Sequence, residues 1–158
     1  MIQNLLLAFW LFLPAGIANL TPVLANKVPL LNRWQTPLDF GKKLGGVRIF
    51  GDNKTWRGLV LGTLVAGLVA TAEKYVFFGG GFSLYFFIYG ALLGFGALAG
   101  DAFESFFKRR AGVNPGKPWF PFDQIDYIIC ALAFTYPLLQ LPLIIMAYIL
   151  VLYFGLHL

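Results

Sequence analysis

Five long stretches of this chain carry almost no charge, and that pattern limits the folds open to it more than any other feature. They run from Leu5 to Leu24, Gly58 to Phe78, Phe82 to Phe107, Tyr127 to Leu139 and Leu141 to Leu158. A helix needs roughly 20 mostly apolar residues to cross the hydrocarbon of a bilayer. With 59% hydrophobic and only 12% charged residues, the chain is too apolar for a soluble domain of average composition. The expected fold is an all-α integral membrane protein of five transmembrane helices, with residues 1–158 forming one membrane-embedded domain. The fourth stretch reaches a spanning length only if its helix starts near Phe122, and Pro137 and Pro142 mark its break from the fifth. No basic residue precedes "LLLAFWLFLPAGIA", which favours a retained span over a cleaved leader. Cys130, the one cysteine, lies in an apolar run and reads as a packing residue.

The distribution of cations sets the expected topology. Of twelve Lys and Arg residues, seven fall between the first and second stretches (Lys27, Arg33, Lys42, Lys43, Arg48, Lys54, Arg57) and four between the third and fourth (Lys108, Arg109, Arg110, Lys117). Only Lys74 belongs to the opposite side. Five spans put the long first connection and the shorter third one on the same face, and the excess of cations makes that face cytoplasmic. The N-terminus is then outside and the C-terminus inside. A positive field concentrated at one membrane surface suits acidic lipid headgroups or a polyphosphate. It argues against nucleic acid, because no soluble basic module and no nucleic-acid motif are present.

The first connection, from about Asn26 to Trp56, is long, and loops of that length are usually functional or disordered. Leu38, Phe40, Leu44, Val47, Ile49 and Phe50 alternate with its charges, so it is expected to dock on the bundle. Within the spans, Gly58 with Gly62, Gly90 with Gly94 and Gly96 with Gly100 are spaced four apart, which predicts close helix packing. "FFGGGF", Phe77 to Phe82, reads as a turn on the outer side.

Eight of the nineteen charged residues crowd into "GDAFESFFKRRAGVNPGKPWFPFDQID", Gly100 to Asp126. If the third helix continues to about Arg109, Asp101, Ser105 and Lys108 share one face, with Glu104 beside them. A carboxylate at that depth is costly and marks a functional site by default. Asp123 and Asp126 open the fourth helix, where the macrodipole alone favours acids. A short linker brings the two helix ends together, so Asp101, Asp123 and Asp126 are expected to converge at the membrane surface. Oxygen ligands of this kind suit Mg²⁺, which keeps positions for waters and substrate phosphates. With His157 as the only histidine and no Cys/His cluster, zinc is excluded. Carboxylate-held Mg²⁺ among Lys and Arg side chains is the arrangement that phosphoryl or nucleotidyl transfer uses, because charge develops on phosphorus oxygens.

"GDAFESFFKRR", followed by "FDQID", resembles the signature of the CTP-dependent phosphatidate cytidylyltransferases, D-x-x-x-S-x-x-K-R, a loop, then D-R-x-D. Asp101, Ser105, Lys108, Arg109, Asp123 and Asp126 match it, while Gln124 stands where that family has Arg. The intervening loop is about five residues shorter, and "NPGKPWFP" replaces its Lys-Asp and His-Gly-Gly elements. "LPAGIANLTPVLANKVP", "PLDFGKKLGGVRIFGDNKTWRG" and the shortened loop are more similar to the archaeal branch, the CDP-archaeol synthases. "GDNKTWRG" also resembles the Lys-Thr-Trp-Glu-Gly element of the wider superfamily, with Arg57 in place of Glu.

The resemblance implies transfer of CMP from CTP to an isoprenoid ether lipid phosphate (unsaturated archaetidic acid), with release of pyrophosphate and a need for Mg²⁺. It implies Asp101, Asp123 and Asp126 as metal ligands and Ser105, Lys108 and Arg109 as further catalytic residues. Lys42, Lys43, Arg48, Asn53, Lys54, Thr55, Arg57, Asn114 and Lys117 are implied for nucleotide or phosphate binding. A CDP-diacylglycerol synthase, a CTP-dependent polyprenol kinase and a transporter remain as alternative readings of the same chain.

Overall fold

The computed structural model describes residues 1–114 and 116–156. Among them, five α-helices follow in order: α1 (Ile2–Asn26), α2 (Trp56–Phe78), α3 (Leu84–Arg110), α4 (Phe122–Thr135) and α5 (Leu143–Leu156). The first connection carries a 3-10 turn (Leu31–Arg33) and a hairpin of β1 (Lys43–Leu44) and β2 (Val47–Arg48). α1, α2 and α3, at 25, 23 and 27 residues, are long and apolar enough to cross a bilayer. α4 and α5 have 14 residues each, or ~21 Å at the α-helical rise, short of the ~30 Å hydrocarbon core. α4 does start at Phe122, but it stops at Thr135, whose carbonyl accepts the N–H groups of Leu138 and Leu139 (3.0 and 2.9 Å) in the turn leading to Pro142. The expected fifth stretch ran to Leu158; His157 and Leu158 lie outside the described residues.

Small residues decide how the helices meet. A Cβ at Gly94 would fall 2.5 Å from the Ala66 Cβ, and one at Gly62 would fall 3.0 Å from the Ala18 carbonyl, so α3, α2 and α1 approach through glycine and alanine. On the other face of α3, Gly96 would put a Cβ 2.8 Å from the Ala131 Cα, and Gly100 would put one 2.6 Å from the Asp126 carbonyl. The pairing of 96 with 131 and of 100 with 126 runs α3 antiparallel to α4. α5 closes the bundle by packing Tyr153 on α1, where its hydroxyl donates to the Phe9 carbonyl at 2.7 Å. Phe12, Leu93, Ile128 and Ile149 fill the centre, fully buried.

The long connection is ordered by one carboxylate. Buried Asp39 accepts from Arg48 through both Nε (3.2 Å) and a terminal nitrogen (2.7 Å), and from the backbone N–H groups of Gly41, Phe50 and Gly51 at 3.0–3.1 Å. Burial alone would raise this carboxyl, yet the Arg48 guanidinium and the three N–H groups hold it well below the usual carboxylate range. The tip of the hairpin is Gly45-Gly46, both at positive φ (62° and 81°), as a two-residue turn of this kind requires. Phe50 packs against Phe106 of α3, so the connection docks on the bundle. Phe40 is the one non-glycine residue with positive φ among those described (49°), a conformation that costs roughly 1–3 kcal/mol.

At the other pole, Lys74 donates to the carbonyls of Gly79 and Gly81 (2.6 and 3.2 Å). The lone cation of that side thereby satisfies the glycine turn after α2.

Candidate active site

Antiparallel packing of α3 on α4 through Gly100 brings the C-terminal turns of one helix beside the first turn of the other. The carboxylate oxygens that result from Asp101, Glu104 and Asp126 lie within 4.8 Å of one another. Asp126 is the least satisfied of them: both its oxygens are buried, and no side chain among the described residues donates to either. Buried oxygen atoms without donors are costly unless a cation or ordered water completes them. A divalent ion with oxygen ligands fits this donor set, and among the described residues neither a histidine nor a cysteine joins the group.

Cations surround the acids. Lys54, from the segment before α2, reaches across to Asp101 (Nζ to Oδ2, 2.5 Å). Lys108 bridges Asp123 at 2.6 Å and Glu104 at 3.5 Å from within α3. Asp123 also accepts the Trp119 N–H at 2.6 Å, so both of its oxygens are already bonded. Arg109 sits beside them with its buried Nε unpartnered. These groups line a cavity of about 1010 Å³, together with Ser105, Asn53 and Asn114. The same cavity continues along an apolar wall of Leu13, Ile17, Leu20 and Val23 from α1 and Tyr153 and Leu156 from α5. One space therefore joins a charged pole to a greasy groove.

The remaining candidates from the sequence are placed differently. Thr55 caps α2, its Oγ1 accepting the Gly58 N–H at 3.1 Å. Arg57 is 2% exposed and donates to the Leu31 carbonyl (2.9 Å) and to the Asn26 side chain, joining the end of α1 to the start of α2. Arg48 borders the cavity, but its guanidinium is held by Asp39 and by Asp52 (2.6 Å). Lys42, Lys43 and Lys117 are exposed and do not line the cavity.

Against this geometry, the family model described as "CarS-like: CDP-archaeol synthase" matches residues 1–158. The chain belongs to the CDP-archaeol synthase family. The CDP-archaeol synthase of Pyrococcus furiosus is 42% identical over 137 residues, covering 85% of this chain and 77% of that protein. That of Methanopyrus kandleri is 40% identical over 133 residues, covering 80% and 68% respectively. The Halobacterium salinarum CDP-archaeol synthase is 36% identical over 141 residues, covering 85% and 74%. A solved structure described as "Structural insight into an intramembrane enzyme for archaeal membrane lipids biosynthesis" superposes with a TM-score of 0.82 at 32% identity, covering 97% of this chain and 91% of that one. Family membership and this likeness make the protein a multi-pass membrane enzyme of the CDP-archaeol synthase type.

One residue carries more of this candidate site than the sequence suggested, and one more of the frame beside it. Glu104 joins Asp101 and Asp126 in the carboxylate group, with Asp123 bonded to Lys108 beside it. Its spacing of three from Asp101 and four from Lys108 was the available signal. Asp39 was hidden because a loop acid looks solvated until the backbone folds around it.

Proposed function

We infer that the site transfers CMP from CTP to an isoprenoid ether lipid phosphate, giving CDP-archaeol and pyrophosphate, within one membrane domain of five spans that faces the cytoplasm. The observation that carries this reading is the buried carboxylate of Asp126, to which no side chain among the described residues donates, beside Asp101 and Glu104 in one cavity with Lys54, Lys108 and Arg109. CTP is cytosolic and the lipid phosphate lies in the membrane surface, so a cavity with a charged end and an apolar wall receives both. Eleven of the twelve cations fall in the two connections at this pole or in the helix turns that adjoin them, which supports its cytoplasmic orientation.

Asp101, Glu104 and Asp126 are the residues that would hold Mg²⁺, with Asp123 nearby. The ion supplies neutralisation of charge on the triphosphate. Lys54, Lys108 and Arg109 bind and orient phosphate oxygens, and Asn53 and Asn114 border the same space. The lipid phosphate is ionised at neutral pH, so its own oxygen attacks the α-phosphorus of CTP. The new bond is oxygen to α-phosphorus, the broken one joins the α-phosphorus to the bridging oxygen, and pyrophosphate leaves with that electron pair. No side chain has to abstract a proton.

Purified protein given labelled CTP and either an archaeal diether phosphate or a diacyl phosphatidate tests the reading. Labelled CDP-lipid and pyrophosphate from the ether lipid are expected, with loss in Asp101→Asn and Asp126→Asn. CDP as the product would instead indicate a kinase, and near-normal activity in both variants would remove the metal assignment.

A further inference from the structure

Lys42 and Lys43 are left without a task by the cavity. They sit on an exposed turn with Phe40 (65% exposed) and Leu44 (58% exposed), and no acidic side chain among the described residues pairs with either lysine. The turn is firmly built all the same. Asp39 ties it to Arg48, Phe50 and Gly51, and Phe40 is held in the left-handed region although its side chain stays largely exposed. A strained backbone that displays an apolar side chain is a reason to look for what the side chain meets.

Its height relative to the bilayer is set by Trp56. This residue opens α2, one of the three helices long and apolar enough to span, and tryptophan at such a helix end belongs to the membrane–water interface. The Phe40 ring lies 6.0 Å from the Trp56 ring, which puts the turn at the same level. Across the hairpin, Lys43 pairs with Arg48 and Leu44 with Val47. Val47 and Arg48 border the cavity whereas Lys43 and Leu44 do not, so the hairpin is a wall with one strand on the cavity side.

We propose that the Phe40–Leu44 turn is an interfacial anchor that seats Phe40 and Leu44 among anionic lipid headgroups through Lys42 and Lys43, fixing this wall of the cavity against the membrane surface. Apolar side chains flanked by lysines are the chemistry of a segment lying in the headgroup region, and anionic lipid complements the unpaired charge. Sequence alone would equally offer these lysines to the triphosphate of CTP, since both ligands are phosphates. Their position outside the cavity favours the lipid. This inference uses the membrane setting but not the reaction, so it stands or falls separately from the proposed chemistry.

The test uses the full chain in nanodiscs of phosphatidylcholine, alone or mixed with phosphatidylglycerol. A polarity-sensitive fluorophore on Leu44→Cys, in a Cys130→Ala background, should report lipid contact in the anionic discs. Added salt, or Lys42→Ala with Lys43→Ala, should shift the label toward water, with the contact equilibrium falling about 25-fold for the two lysines together. On the unmodified chain, hydrogen exchange of residues 38–48 should slow in anionic discs relative to neutral ones, so the proposal does not depend on the variants folding. A label in water in both discs with unchanged exchange would overturn it. So would a rise in KM for CTP in the double alanine variant with the label undisturbed, because the lysines would then serve the nucleotide.

Discussion

Two regions of this molecule that each set carboxylates among cations are built on opposite terms. In the hairpin, Asp39 receives five hydrogen bonds from Arg48, Gly41, Phe50 and Gly51 and has no bonding capacity to spare. Between α3 and α4, Asp126 is as hidden from water at its oxygens, yet no side chain among the described residues donates to either. A satisfied carboxylate holds backbone in place, and an unsatisfied one waits for a ligand. The cations divide in the same way. Arg48 and Arg57 are committed to side chains and carbonyls of the frame, whereas Lys54 and Lys108 touch only carboxylates that border the cavity.

Variants that separate chemistry from frame sharpen the contrast. Asp126→Asn should lower pyrophosphate release from CTP by more than about 100-fold and abolish its dependence on Mg²⁺, while the thermal midpoint in detergent holds or rises; a falling midpoint with activity retained would place Asp126 in the frame. Lys54→Met removes a charged contact at the cavity and should raise KM for CTP by roughly 10- to 100-fold, measured by initial rates over a CTP titration. Arg57→Lys should act through folding. A lysine cannot reproduce the forked contact to Leu31 and Asn26, and a loss of roughly 1–3 kcal/mol in stability is expected from denaturant titration.

Asp39→Asn should loosen the hairpin by about 1–2 kcal/mol, seen as faster hydrogen exchange at Phe50 and Gly51, with a smaller effect on the rate than Asp126→Asn. The smallest effect is that of pH on the hairpin. Asp39 is depressed from an ordinary value of 3.8, so its contribution is complete above that value and declines as pH falls from there through the folded-state value. Hairpin exchange should therefore be insensitive to that carboxyl between neutrality and about pH 5, and an Asp39-dependent transition inside that range would break the comparison.

Much of this was legible in the order of residues. Continuous apolar runs imply helices in a bilayer because unpaired backbone polar groups cannot be left in hydrocarbon, and the glycines at 62, 94, 96 and 100 mark where backbones touch. The approximate meeting of Asp101 with Asp126 followed from a short linker between two helix ends. The roles of individual charges did not follow. Lys42, Lys54 and Arg57 look alike as members of a basic loop, yet one is exposed, one reaches the acids and one is buried in the frame.

The sequence by itself determined the membrane setting, the helical class, the family and the convergence of acids and cations at one pole, because these depend on hydropathy, spacing and local motif. Only the tertiary structure decided that Glu104 joins the carboxylate group, that Asp123 is taken by Lys108 and the Trp119 N–H, and that Asp39 is spent on the hairpin. Whether a charge is free for chemistry depends on which donors fold around it. That is a property of contacts between segments distant in the chain, which local pattern does not carry.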